Sequence, residues 1–122
     1  MKRDITDSLF SKLIRLLENH TCRRCGTVHS PNSQGLHCAH FHSRAKRSTR
    51  WYRDNATALC YGCHQYIDLH KEEKVEFFLT ILGREQFDAL ELRAKTIKKF
   101  TPDDIKALRQ ELRDKIRRLE DK

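Results

Sequence analysis

The sequence predicts a mostly helical α+β domain in which a small zinc-stapled core, strand, loop, strand and helix in order, is flanked by helices. Three observations carry that expectation. Two Cys-x-x-Cys pairs of identical spacing, Cys22 with Cys25 and Cys60 with Cys63, bracket a polar segment holding His40 and Asn55. Helical apolar periodicity is confined to the stretches on either side of that segment. With 122 residues the chain is one domain's worth, able to bury about two-thirds of its unfolded surface, so a metal staple would help it. We divide it into an N-terminal helix (1–20), a stapled core (21–70) and a helical C-terminal part (71–122).

Asp4 and Thr6 can cap the first helix, where Leu9, Phe10, Leu13, Ile14 and Leu17 recur at helical spacing. From Thr21 to Gln34 the chain is polar and carries Gly26, Pro31, Asn32 and Ser33, which reads as a metal knuckle and a loop. Leu36 to His42 is compact enough for a strand, Ser43 to Asp54 is a basic loop, and a second short strand near 56–59 delivers Cys60. A helix is expected to start near Cys63. Beyond His70, Val75, Phe78, Leu79 and Leu82 form one helical stripe that Gly83 can stop, and Phe87, Leu90, Ala94 and Ile97 form another. Thr101-Pro102-Asp103-Asp104 combines a capping hydroxyl, proline in the first turn and acidic charge at the positive end of a helix dipole. Ile105, Leu108, Leu112, Ile116 and Leu119 then line one face of a last helix. That rhythm is close to a heptad, so the helix is a candidate homodimer element; the alternative is a core helix packed on the Val75–Leu82 stripe.

Lys and Arg number 25 against 17 Asp and Glu, a formal net charge of +8. Such an excess suits a polyanion, because each neutralised phosphate releases condensed counterions. Residues 1–19 are charged and amphipathic, without the apolar run of a signal peptide or membrane span, which points to a cytoplasmic protein with no membrane partner. In a reducing compartment the five cysteines read as metal ligands plus a spare thiol, Cys38, which behaves as a small buried hydrophobe. Two thiolates from each pair complete a closed tetrahedral zinc site with no position left for chemistry.

If the polyanion is a substrate, hydrolysing its phosphodiester near neutral pH needs a base for water, a hard cation on the phosphate and a group that orients the base. His40 has the identity of the base, since imidazole titrates near the working pH. Asn55 can tie down the hairpin loop through backbone hydrogen bonds, and His64 can bind a divalent metal. Asp68, one helical turn beyond His64 and on the same face, is a second candidate ligand; His42 is a third, placed with His40 on one strand face. Arg44, Lys46, Arg47, Arg50 and Arg53, interleaved with Trp51 and Tyr52, form a candidate DNA contact in which cations meet phosphates and aromatics meet sugar or an unstacked base. Trp51 equally suits a plug in the core beneath the hairpin.

The segments His37-Cys-Ala-His-Phe-His-Ser-Arg44, Ser48-Thr-Arg-Trp51, Asp54-Asn55 and Leu59-Cys-Tyr-Gly-Cys-His-Gln-Tyr-Ile67 resemble the HNH, or ββα-metal, endonucleases. More narrowly they are similar to the phage recombination nucleases of the Rap/NinG type. The resemblance covers residues 22–68. It implies a metal-dependent DNA endonuclease, with Mg²⁺ or Mn²⁺ as catalytic ion and branched recombination intermediates such as Holliday junctions as substrates. It places His40 at the base position, Asn55 at the middle position and His64 at the last histidine. Many HNH sites carry an acidic residue or histidine directly before the base, and here that position is Ala39. A zinc-knuckle protein that binds DNA and cuts nothing is the alternative, as is a generic nicking or packaging-associated HNH nuclease. Cys60-Tyr-Gly-Cys63-His64 also satisfies the haem-attachment pattern, but Cys22 and Cys25 and the missing export signal argue against it. A zinc deaminase would need a proline directly before the first cysteine of its pair, and Thr21 and Leu59 stand there.

Overall fold

The computed structural model describes residues 3–121. Their elements are α1 (Ile5–Leu17), β1 (Leu36–His40), α2 (Arg47–Arg50), a 3-10 turn (Arg53–Asn55), β2 (Ala56–Cys60), α3 (Tyr61–Leu69), α4 (Lys71–Leu82), α5 (Arg84–Ala94) and α6 (Pro102–Glu120). The described residues are thus mostly helical, with one small sheet.

Of the two cap candidates for α1, Asp4 takes the role. Its carboxylate accepts from the Asp7 amide while the Asp7 carboxylate accepts from the Asp4 amide, both at 3.0 Å. Thr6 lies inside the helix, buried, and its hydroxyl accepts from Arg109 of α6 at 2.8 Å. The helix ends as Asn19 and His20 turn left-handed, each at φ 54°. Phe10, Leu13 and Ile14 form one buried cluster with Leu112 and Ile116 of α6. Full burial of each such side chain stabilises by roughly 1.5–3 kcal/mol. The last helix is therefore a core helix, but its partner is α1 and not the Val75–Leu82 stripe. That stripe has its own cover: Phe78 packs on Phe41 at a ring separation of 5.1 Å, and Phe41 on Phe87 of α5 at 5.4 Å. Val75 stays 43% exposed, and Ile97, beyond the end of α5, is 89% exposed. Gly83 joins α4 to α5 at φ +84°, a conformation that glycine adopts without a Cβ penalty.

β1 and β2 pair antiparallel, from Leu36 opposite Cys60 to His40 opposite Ala56. The first strand stops short of His42 because the Asn55 side chain takes over the backbone there. Helix α3 starts at Tyr61, before Cys63, since Cys60 is its cap and accepts the Cys63 amide on sulfur at 3.5 Å. The segment expected as an open basic loop holds α2 and the 3-10 turn. It is drawn inward by polar anchors: the buried Asp7 carboxylate binds Arg50 and Trp51, and Arg93 of α5 donates to the Ser48 carbonyl at 2.8 Å. A second buried cluster of Cys22, Leu36, Ala39, Ala58, Leu59, Cys63 and Ile67 seats α3 on the sheet and the first knuckle. No described helix is long and apolar enough to cross a membrane.

Candidate functional site

The sulfurs of Cys22, Cys25, Cys60 and Cys63 lie within 4.8 Å of one another, with Cys25 and Cys60 at 3.8 Å. A tetrahedral zinc with bonds of about 2.3 Å has sulfur–sulfur edges of about 3.8 Å, so the four residues fit that ion. Donors already converge on the sulfurs. The Cys25 amide faces Cys22 at 3.5 Å, Arg24 donates to Cys63 at 3.4 Å, and the Thr27 hydroxyl lies 3.1 Å from Cys25. Gly26, at φ +78°, makes the left-handed turn that brings the chain back after Cys25. The Thr27 hydroxyl is the main cause that pulls the Cys25 thiol down to about 6, whereas burial pushes Cys63 up to about 12. A divalent cation held by the four sulfurs would let both ionise. The Arg23 amide donates to the Ala58 carbonyl at 2.8 Å and so ties the first knuckle to β2.

Beside the sheet a cleft of about 940 Å³ is lined by His37, His40, His64, Asp68 and the cations Arg3, Arg15, Arg44 and Lys74. His40 closes β1, and its ring packs on Phe10 at 5.9 Å. Its Nε2 lies 3.1 Å from the Arg50 carbonyl. A carbonyl only accepts, so Nε2 carries the proton and Nδ1 is left as an acceptor. Burial lowers the His40 pKa and outweighs the Arg50 carbonyl, which favours the charged ring.

Asn55 is fully buried. Its Oδ1 accepts from the His42 amide at 2.8 Å and its Nδ2 donates to the His42 carbonyl at 3.0 Å. This is the loop-tying bond expected of it, made to the residue two beyond His40.

His64, in the first turn of α3, has Nε2 at 3.2 Å from Asp68 and Nδ1 at 2.9 Å from Nδ1 of His37. Burial lowers its pKa against the opposing pull of Asp68. Both histidines expected to do chemistry are thus biased towards the neutral ring that a base or a metal ligand requires. Asp68 is half exposed and also pairs with Lys74 at 3.0 Å. His42 points elsewhere, to Glu91 of α5 at 2.6 Å, and is not part of the cleft lining.

The basic segment divides. Lys46 and Arg47 are exposed. Arg44 lines the cleft and reaches Asp7 at 3.4 Å. Arg50 is corrected: it is 5% exposed and donates to both Asp7 oxygens, at 3.0 and 2.6 Å, so it is a structural ion pair and not a phosphate contact. Trp51 is corrected likewise, towards the core plug. Its Nε1 donates to Asp7 at 3.0 Å and its ring meets Phe100 edge-on at 5.1 Å. Arg53 is half committed, bonded to the Ala56 carbonyl at 3.0 Å and to Glu18 at 3.1 Å. Arg93 lies over the Tyr52 ring at 4.1 Å.

Sequence reasoning missed His37, Arg15 and Lys74 as cleft residues. Arg15 and Lys74 carry no motif. His37 stands three before His40, a spacing that alternation along a strand sends to the opposite face. Its signal is in the pairing: with Leu36 opposite Cys60, His37 falls beside the knuckle from which α3 and His64 spring.

No curated protein and no solved structure matches the chain. The family described as Bacteriophage Lambda NinG protein matches residues 3–122, nearly end to end, and the chain belongs to that family.

Proposed function

We propose that this NinG-family chain is a divalent-metal-dependent DNA endonuclease of the HNH type, working in phage recombination on branched intermediates such as Holliday junctions. The observation that carries the reading is His40, whose Nδ1 is an available acceptor while Nε2 is anchored to the Arg50 carbonyl, in a cleft shared with His64 and four cations. His40 takes the proton of the attacking water at Nδ1. Asn55 holds the loop behind it. His64 would hold a divalent cation, which supplies charge stabilisation at the phosphate and the leaving oxygen. Arg44, Arg15 and Lys74 hold the scissile phosphate in the cleft, and Lys46 and Arg47 extend the basic track outside it. The cysteine cluster, loaded with zinc, is scaffold.

One observation favours the reading in which the protein binds branched DNA and cuts nothing. Ala39, at the position where many HNH sites have a metal ligand, is 2% exposed and turned into the core. Incubation with linear, nicked, forked and four-way DNA, with Mg²⁺ or Mn²⁺ and with chelator, separates the two. The endonuclease reading expects metal-dependent cleavage strongest on the branched substrates. Tight junction binding without cleavage under every metal condition would overturn it. Paired cuts in a junction need two sites, so a dimer is part of the proposal; its interface lies away from Leu112 and Ile116, which α1 already covers.

A further inference from the structure

The endonuclease reading leaves His64 as a metal ligand with Ala39 unable to assist it, and the geometry around His64 supplies a different assistant. We infer that His37 and His64 form a two-imidazole site for a divalent transition-metal cation, bound through both Nδ1 atoms, and that Asp68 orients His64 instead of ligating the metal. The inference rests on the endonuclease reading for its purpose, not for its geometry.

The two Nδ1 atoms face each other at 2.9 Å, with the rings at 79°. Two lone pairs repel at that separation, so the pair is held either by an ordinary hydrogen bond, one Nδ1–H donating to the other Nδ1, or by a metal ion that takes both lone pairs. Two nitrogens bound at about 2.1 Å and at right angles to one metal are about 3.0 Å apart, so the pair is already spaced for octahedral coordination. On the far side of the ring, Nε2 of His64 meets Asp68 at 3.2 Å. A carboxylate at that ion-pair distance favours the ring proton on Nε2 and so leaves Nδ1 as the ligating atom, as an acidic partner does behind many metal-bound histidines. Asp68 cannot then share the ion bound at Nδ1. Lys74, bonded to the same carboxylate at 3.0 Å, further suits Asp68 to an orienting role.

The ligand set also selects the metal. Mg²⁺ prefers oxygen ligands and dehydrates reluctantly, whereas imidazole nitrogen suits later divalent ions. The pair therefore favours Mn²⁺ over Mg²⁺. Mn²⁺ is the appropriate probe, since it competes weakly with zinc for thiolates.

The test is titration of the zinc-loaded full chain with Mn²⁺, following the paramagnetic resonance signal of the free ion, with Mg²⁺ as competitor. The parent protein is expected to bind one Mn²⁺ at this site and to release it only at large Mg²⁺ excess. His37→Ala is expected to weaken binding at least about tenfold with zinc content unchanged. His37→Asp is expected to recover binding and to narrow the preference for Mn²⁺ over Mg²⁺, which also shows that loss in the alanine variant is not misfolding. Asp68→Asn, which keeps an acceptor, is expected to cost only a few-fold, roughly within the range of an outer-shell change. If His37→Ala binds like the parent while His64→Ala does not, or if Asp68→Asn loses as much as His64→Ala, the assignment is overturned and the endonuclease reading is untouched. A parent that binds no Mn²⁺ yet cleaves DNA with Mg²⁺ would overturn the two-imidazole site in the same way. Mn²⁺ binding that depends on His37 in a protein that cleaves nothing would uphold the site and remove the nuclease.

Discussion

The two sides of the cleft are built differently, one around His40 and the other around His64 with His37 beside it. His40 is held by the protein's own packing. Its ring lies on Phe10 of α1, and the carbonyl that anchors it belongs to Arg50, a residue fixed by the buried Asp7 of the same helix. His64 stands on a helix whose cap is a cysteine sulfur and whose seat is the cluster around Cys22, Cys63 and Ile67. One half of the site depends on a buried ion pair, the other on the four-cysteine cluster. The two halves can therefore fail independently.

The largest effect is expected from breaking the metal half. Zinc binding in such clusters contributes on the order of 10 kcal/mol to folding, so Cys60→Ser is expected to lose zinc and to unfold at least the knuckles and α3. Metal analysis with circular dichroism checks it, and a folded variant without zinc would show that packing alone holds His64.

Next is the ion-pair half. Asp7→Ala leaves Arg50 buried and unpaired, and is expected to cost roughly 3–5 kcal/mol by chemical denaturation, with the zinc content of the surviving folded protein unchanged. The same carboxylate gives a pH signature. Burial alone would raise its pKa, but the Arg50 guanidinium, the Asp4 amide and Trp51 hold it at about 2, against 3.8 for the free group. A depressed carboxylate stabilises the fold above its unfolded value, and that contribution, about 2 kcal/mol, is lost as pH falls from about 4 to about 2. Denaturation series in parent and Asp7→Asn are expected to converge at the acid end.

A smaller change separates His40 from an ordinary histidine. Because burial lowers its pKa, it stays a competent base as pH falls below the usual 6.5. Cleavage is therefore expected to hold through neutral pH, with the acid limb below that value. A limb above 6.5 would mean that the ring is charged in the resting site.

The smallest effect distinguishes the exposed cations from the buried one. Lys46→Ala and Arg47→Ala are each expected to leave stability nearly unchanged and to reduce the salt dependence of DNA binding by about one unit of slope. Arg50→Ala is expected to do the reverse, through stability.

Much of this arrangement is legible in the sequence, and the parts that are not share a physical cause. Cys spacing, the Thr101-Pro102 start and the strand pair around His40 are local signals, and each lies at or within a few residues of its expected place. Asn55 can be read because its role is to bond backbone nearby. Arg50 reads as a surface residue, and Trp51 equally as a DNA contact or a core plug, because nothing local marks Asp7, remote in sequence, as the acceptor that draws both inward. His37 escapes notice for the matching reason: its partner is on α3, and only the strand register brings them together. The neighbour of α6 is not legible either, because an amphipathic stripe states that it will be buried, not by what.

The site works as proposed only if His40 is the base. The direct measurement is His40→Ala compared with the parent on a four-way junction, reading cleavage and DNA affinity separately, with zinc content as the fold control. Loss of cleavage with affinity nearly intact is the predicted result, since a base acts on water and not on binding. A zinc-loaded His40→Ala protein that cuts the junction at the parent rate would contradict it.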